Sequence, residues 1–99
     1  MSLDLEIAGE QYNYTYNAAG MWYEIFPEDE GMVYIDDMTG LEAIGKIEEA
    51  IIAMLEHKDS LRELEPENGW GSYEGFLAFL IAVREGCIRN PNEKWRACR

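Results

Sequence analysis

The sequence predicts a small α+β fold, in which strands from the two ends of the chain form one layer that packs on two main helices and a short aromatic helix. Residues 3–7 and 12–17 alternate in polarity, residues 41–57 and 73–89 carry apolar side chains at helical spacing, and residues 93–98 alternate again. Strands at both ends with helices between them favour a sheet that joins the termini. The 99 residues suffice for one domain, without a linker or repeat.

Two short strands are predicted near the N-terminus. Three aliphatic residues alternate with acidic ones over residues 3–7, and three tyrosines alternate with polar residues over 12–17. A period of two is typical of strands that cover a core with one face. Residues 8–11 would close a hairpin, or Gly9 would form a bulge in one extended strand.

A short aromatic helix is predicted next. Asn17 is a suitable N-cap for a helix over residues 18–26, and Pro27 ends it because the residue before a proline avoids the α-helical region. Trp22 and Tyr23 on this helix, beside an acidic loop, form one candidate binding surface.

The second helix has the clearest local signals. Thr39 and Glu42 have the spacing of a capping box, in which each side chain accepts a hydrogen bond from the other residue's N–H. Ser60 and Glu63 suggest a second box over one further turn. The apolar residues that follow Thr39 at helical spacing predict the buried stripe, which comprises Leu41, Ile44, Ile47, Ile51, Met54 and Leu55.

The third helix is expected over residues 73–89, with Ser72 as its N-cap. Its apolar residues cover a wide arc, which is typical of a helix buried on two sides. These residues are Phe76, Leu77, Leu80, Ile81, Val83, Cys87 and Ile88. Residues 90–92 (Asn-Pro-Asn) predict a turn, and residues 93–98 predict the terminal strand, with Trp95 and Ala97 on one face.

The formal net charge is −12, and it is unevenly distributed. Residues 1–83 carry 18 acidic and three basic side chains, whereas residues 84–99 carry two acidic and five basic ones. An acidic body repels phosphate backbones and anionic lipids, so neither direct nucleic-acid binding nor membrane binding is expected. The longest apolar run, 76–83, is too short for a membrane span, and the acidic N-terminus is unlike a signal peptide. We therefore expect a cytoplasmic protein.

No residue pattern indicates catalysis or a cofactor. Cys87 and Cys98 have neither CxxC nor zinc-site spacing, so reduced thiols are expected. His57 is the sole histidine, and nothing local brings it to Cys87 as a nucleophile pair. The acidic runs at 28–30 and 36–37 lack the register of a calcium loop. We predict a non-enzyme that needs neither cofactor nor metal.

The glycine-rich segment 67–75 is the other candidate binding site. It lacks the lysine of a phosphate-binding loop, and acidic residues flank it. Asn68, Trp70 and Tyr73 come together here in a turn where side chains are not expected to be fully packed, and such aromatics are favoured interface anchors. The alternative is that Trp70 covers the second helix as part of the core.

Several segments occur in an order that carries a resemblance: YNYTYN, GMWYEIF, Asp37-Met38-Thr39-Gly40, NGWGSYEG and Asn90-Pro91. Together they resemble a family of small uncharacterised proteins of bacteriophages and prophages that carry an N-G-W-G-S-Y-E-G signature. Glu67, between Pro66 and Asn68, and the basic ending WRACR depart from the family pattern. The resemblance implies one fold over nearly the whole chain and a mobile-element origin, and it assigns no catalytic residue.

These observations predict a non-enzymatic, acidic protein-binding accessory factor of phage or mobile-element origin. A protein partner is expected, because an acidic surface attracts basic partners over long range. The sequence leaves homo-oligomerisation open. One alternative is an acidic decoy that inhibits a host nucleic-acid-binding or defence enzyme, and another is a small ligand-binding domain that uses the Trp70 loop as a pocket wall.

Overall fold

A computed structural model describes residues 2–15, 19–25, 35–65 and 71–98. Its elements are β1 (Ser2–Ile7), β2 (Glu10–Thr15), α1 (Ala19–Ile25), α2 (Gly40–Glu56), α3 (Lys58–Arg62), α4 (Tyr73–Arg89) and β3 (Arg96–Cys98). The strands form an antiparallel sheet in the order β2-β1-β3, so the two ends of the chain pair through β1 and β3. The architecture is α+β, as predicted, and none of the helices within the described residues is long and apolar enough to cross a bilayer.

The first two strands form a hairpin, which decides between the two alternatives for residues 8–11. Pairing runs from Ser2 with Thr15 to Ile7 with Glu10, so the turn is only Ala8-Gly9. Both turn residues have positive φ, 51° at Ala8 and 83° at Gly9. Two consecutive residues with positive φ are typical of the type I′ turn, whose twist matches that of the paired strands.

The inner face of the sheet packs on α4. Leu5 and Ile7 are buried, and the rings of Tyr12 and Tyr14 lie against Trp95 and Phe79, with centroids 5.6 Å and 5.8 Å apart respectively. Both tyrosine hydroxyls meet glycines of α4. A Cβ placed on Gly86 would lie 2.8 Å from the Tyr12 oxygen, and one placed on Gly75 would overlap the Tyr14 hydroxyl. The absence of these two side chains is what lets the sheet approach the helix.

Helix α2 starts at the predicted capping box but buries a different stripe from the predicted one. Thr39 N–H donates to Glu42 Oε1 (2.9 Å), and Glu42 N–H donates to Thr39 Oγ1 (3.1 Å). The buried residues are Gly40, Ala43, Ile47, Ala50 and Met54. Leu41 and Leu55 are exposed, and Ile44 and Ile51 are half-buried, so the predicted stripe is wrong at its outer edge.

The shift of the buried stripe follows from how closely α2 and α4 pack. The two helices are antiparallel: Gly40 lies against the C-terminal end of α4, while the Tyr73 hydroxyl at its N-terminal end donates to the Met54 carbonyl. A Cβ at Gly40 would come within 2.7 Å of the Cys87 carbonyl oxygen. The close approach favours Gly40, Ala43 and Ala50 on the buried side of α2, beside Ile47 and Met54, and Leu41 and Leu55 turn outward.

Among the remaining helix predictions, the cap of α4 is confirmed, whereas the second capping box and part of the buried arc of α4 are wrong. Ser72 caps α4 as predicted, accepting a hydrogen bond from Gly75 N–H at 2.9 Å. The predicted second capping box is wrong, because α3 already begins at Lys58 with His57 as its N-cap, so Ser60 lies inside the helix. Ile81 and Ile88 are exposed, so the predicted wide arc of α4 is wrong there as well. Instead Phe79 and Gly86 widen the buried arc toward the sheet.

The C-terminal segment joins the sheet to the start of α2. Strand β3 pairs with β1, placing Ala97 opposite Leu5, and the preceding Trp95 is fully buried. Trp95 N–H donates to the Met38 carbonyl and Asp37 N–H donates to the Trp95 carbonyl, both at 2.8 Å. Trp95 and Ala97 lie on one face as predicted, which is the face toward the core, and the strand is shorter than the predicted 93–98.

Candidate functional site

The predicted aromatic loop is only partly within the described residues. Asn68 and Trp70 lie outside them, so their binding role stays a prediction. Tyr73 is 1% exposed and belongs to the core, which differs from the expectation that side chains in this turn are incompletely packed. A binding role for the loop therefore depends on Asn68 and Trp70.

Contacts distant in sequence hold Tyr73 in place. Its hydroxyl donates to the Met54 carbonyl, its backbone N–H donates to Glu65 Oε1 (2.8 Å), and the Arg62 guanidinium lies 5.6 Å from the ring centroid. Burial raises the pKa of the phenol, and the nearby Arg62 charge lowers it by less. The ring thus joins the start of α4 to the end of α2 and to α3.

The second predicted surface, on α1, also turns inward in part. Trp22 is 1% exposed and packs in the core beside Met21, whereas Tyr23 is half-buried. Of the two predicted contact residues, Tyr23 keeps the greater exposure. The binding role of both residues stays a prediction.

A surface that sequence reasoning missed lies on the outer side of α2 and α4. We define the α2–α4 face by five exposed aliphatic side chains and an ion pair: Leu41, Ile52 and Leu55 of α2, Ile81 and Ile88 of α4, and Glu48 with Arg84. Their exposed fractions run from 42% at Ile81 to 68% at Leu41. Such a group of large aliphatic side chains on one surface is typical of an interaction site, unlike single exposed ones.

Helical spacing and the ion pair place these residues on one surface. Positions 41, 48, 52 and 55 follow at steps of seven, four and three, and positions 81, 84 and 88 at steps of three and four, so each set lies on one side of its helix. Arg84 Nε donates to Glu48 Oε2 at 3.0 Å and brings the two sides together. Half-buried aliphatic residues, Ile44, Ile51 and Leu77, pack against the core beside them.

The ion pair divides the α2–α4 face into two apolar ends. Because the helices are antiparallel, Leu41 and Ile88 lie on one side of the pair, and Ile52, Leu55 and Ile81 lie on the other. The two charged side chains are 45% and 40% exposed, so they remain hydrated and add little to the stability of the fold. Within the face their charges cancel.

A polar cleft lies along the sheet and the turn beside it. The outward side chains of the sheet and the adjoining turn line a space of about 480 Å³, and they include Asp4, Glu6, Gln11, Asn13, Asp36 and Arg96. Asp36 Oδ1 accepts a hydrogen bond from Ala97 N–H at 2.9 Å. Three carboxylates and one guanidinium suit a cationic group better than an anion. Among the described residues, no group of His, Cys, Asp or Glu is arranged to hold a metal ion.

A charged network joins the sheet to the end of α4. Glu10 Oε1 accepts hydrogen bonds from Arg89 Nη2 (2.8 Å) and from the Tyr12 hydroxyl (2.7 Å), and Glu10 Oε2 accepts one from Asn90 Nδ2 (2.7 Å). These bonds, led by that from Arg89, lower the pKa of Glu10 to about 2. The hydrogen bond that Arg89 donates to Glu10 also raises the pKa of Arg89. The network is a structural link between β2 and α4.

The structure does not bring Cys87 and His57 together. Trp95 Nε1 donates to Cys87 Sγ at 3.3 Å, and burial raises the pKa of the thiol above its ordinary value, so the thiolate needed for attack is disfavoured. Cys87 packs beside the first residue of α2, while His57 follows the last one. A 17-residue helix, about 25 Å long, separates them.

The α2–α4 face could have been anticipated from one signal in the sequence. Leu41, Ile44, Ile52 and Leu55 form a stripe that is offset from the Ala43, Ile47, Ala50 and Met54 stripe of the same helix. A helix that carries two apolar stripes, one of Leu and Ile and one that alternates alanine with larger residues, has more apolar surface than one neighbour can cover.

Comparison of the chain with protein-family models, with curated proteins and with solved structures finds no significant match.

Proposed function

We propose that this chain is a non-enzymatic protein-binding accessory factor of the cytoplasm, and that it contacts its partner through the α2–α4 face. The observation that carries the proposal is the exposure of five large aliphatic side chains around one neutral ion pair. The resemblance to small phage and prophage proteins supports an accessory role on a mobile element.

The composition of this surface matches that of protein interfaces. These have an apolar centre, a polar rim and few charges in the middle. Here the aliphatic side chains lie on both sides of one ion pair whose charges cancel, and exposed carboxylates such as Glu56, Glu74 and Glu85 lie on the same helices. Full burial of an exposed Leu or Ile contributes about 1.5–3 kcal/mol, and these five side chains have roughly half of their surface left to bury, so together they contribute several kcal/mol to a contact.

The experiment compares affinity capture by wild-type protein with capture by two variants. Leu55→Glu places a charge on the α2–α4 face, and Leu64→Glu places one on another exposed leucine outside that face. We expect proteins retained by the wild type and by Leu64→Glu to be lost with Leu55→Glu. Equal retention by all three proteins would show that the face is not the contact surface.

The acidic decoy is a second candidate function, favoured by the carboxylates that line the sheet cleft. A contact made by these carboxylates with a basic nucleic-acid site would weaken steeply as salt rises, because the charges are exposed. A contact made by the apolar face would persist at about 0.5 M salt. Capture at low and high salt, with Asp4→Asn/Glu6→Gln as the cleft variant, separates the two functions.

A further inference from the structure

We infer that the partner of the α2–α4 face is a second copy of this chain, and that two copies join as an antiparallel four-helix bundle around the Glu48–Arg84 pairs. This inference rests on the proposed function only in that the face is a docking surface. It further names the occupant and the symmetry of the contact.

The charges on the face are self-complementary. In a contact with two-fold symmetry every pair occurs twice: if residue i of one copy meets residue j of the other, then residue j of the first copy meets residue i of the second. A two-fold axis that runs along the helices lays α2 of one copy over α4 of the other, so each Glu48 meets the second copy's Arg84. An axis across the helices would instead lay Glu48 over Glu48 and Arg84 over Arg84, and like charges would repel.

The apolar ends match under the same axis. Leu41 lies near Ile88 of the second copy at one end. At the other end Ile52 is the α2 residue nearest to Ile81, and Leu55 lies about one turn further along α2. Every neighbouring pair of helices is then antiparallel, within each copy and between copies, which is the arrangement of an up-and-down four-helix bundle. Large aliphatic side chains at these positions suit such a bundle core.

The area of the face reaches the lower limit for a specific interface. Each helix has 17 residues, so the face is about 25 Å long, and two helices side by side make it about 20 Å wide. Two copies would bury on the order of 1,000 Å² in projection, which is the lower range of specific interfaces. Accessible area exceeds projected area, so the estimate is a minimum.

Net charge sets the salt dependence of this dimer. Two copies of charge −12 repel each other, and salt screens this repulsion while it leaves apolar contacts in place. The dimer is therefore expected to tighten as salt rises. A complex with a basic partner would weaken over the same range.

The test is analytical ultracentrifugation of the whole chain in three forms: the wild type, the Glu48→Arg variant and the Arg84→Glu variant. The first variant carries two positive charges at the centre of the face, and the second carries two negative charges. We expect the wild type to dimerise, each variant alone to bind itself at least tenfold more weakly, and an equimolar mixture of the two variants to regain the dimer. Circular dichroism checks that both variants keep the fold, which is expected because the half-exposed pair contributes little stability.

A second measurement needs no variant. Hydrogen–deuterium exchange of the wild type, repeated at rising protein concentration, should show new protection in α2 and α4 and none in β2. A wild type that stays monomeric at hundreds of micromolar, or a mixture of variants that stays monomeric, overturns the inference. The proposed function then stands or falls separately, by whether Leu55→Glu loses a captured protein of another kind.

Discussion

The inner and outer sides of the α2–α4 helix pair are built from different residues and have different neighbours. The inner side meets Trp95, Tyr12 and Tyr14, and aromatic rings and tyrosine hydroxyls fit into positions where α4 has glycine. The outer side presents Leu and Ile with no neighbouring element that buries them within the described residues. The packing of the described residues therefore depends on the inner side, and the outer aliphatic residues remain available for a contact with another protein.

The largest difference between the two sides is expected for Trp95. Trp95→Ala removes a fully buried ring and its hydrogen bond to Cys87, so it should destabilise the fold by about 3–5 kcal/mol. Urea unfolding measures this change. A loss below about 1 kcal/mol would contradict the view that the inner side carries the stability of the fold.

The next expected effect tests the close approach of α2 and α4. Gly40→Ala would push a methyl group against backbone carbonyls of α4, and we expect a loss of about 1–3 kcal/mol. Gly45→Ala is the matched control in the same helix, because a Cβ there meets nothing within 4 Å. It should stabilise the protein by about 0.5–1 kcal/mol through helix propensity. Thermal unfolding of both variants should therefore give shifts of opposite sign.

The charged network that joins Glu10 of β2 to Arg89 and Asn90 at the end of α4 should make part of the free energy of unfolding depend on pH. The pKa of Glu10 is about 2 in the folded state, against an ordinary value of 4.5. Its contribution is therefore complete above pH 4.5 and is lost as the pH falls from 4.5 toward 2. Glu10→Gln should lower stability at neutral pH and converge with the wild type in acid. If the free energies of unfolding of the two proteins differed by the same amount at every pH in this range, Glu10 would not make the expected pH-dependent contribution.

The smallest effect on stability is expected on the outer side. Leu55→Ser changes a side chain that is 60% exposed, so the free energy of unfolding should stay within about 0.5 kcal/mol of the wild type. The same change should weaken self-association measured by ultracentrifugation. A large loss of stability with unchanged self-association would show that Leu55 stabilises the fold and does not belong to a contact surface.

Local signals in the sequence predicted where the helices begin better than they predicted which side of each helix is buried. The Thr39–Glu42 box and the Ser72 cap involve residues three apart, so the sequence alone was sufficient to place both helix starts. The orientation of α2 depends on the distant α4, whose close approach selects Ala43 and Ala50 over Leu41 and Leu55. A prediction that gives large aliphatic residues more weight than alanine therefore assigns Leu41 and Leu55 to the core, although both are exposed.

The candidate site was harder to predict for the same reason. Aromatic side chains in Gly-rich or short helical segments suggested binding, yet Tyr73 is buried through a bond to Met54, 19 residues earlier in the chain. Trp22 is buried in the shared core. The exposed residues that remain are aliphatic, and only the three-dimensional arrangement shows that they adjoin across two helices.

The tyrosines that fit against Gly75 and Gly86 have a consequence for recognition. Helix α4 cannot turn about its own axis without driving a side chain into one of these hydroxyls, so its rotational setting on the sheet is fixed. Ile81, Arg84 and Ile88 consequently keep their outward directions before any partner arrives. Association then requires little ordering of the backbone, and we expect it to proceed as rigid-body docking with a small entropic penalty.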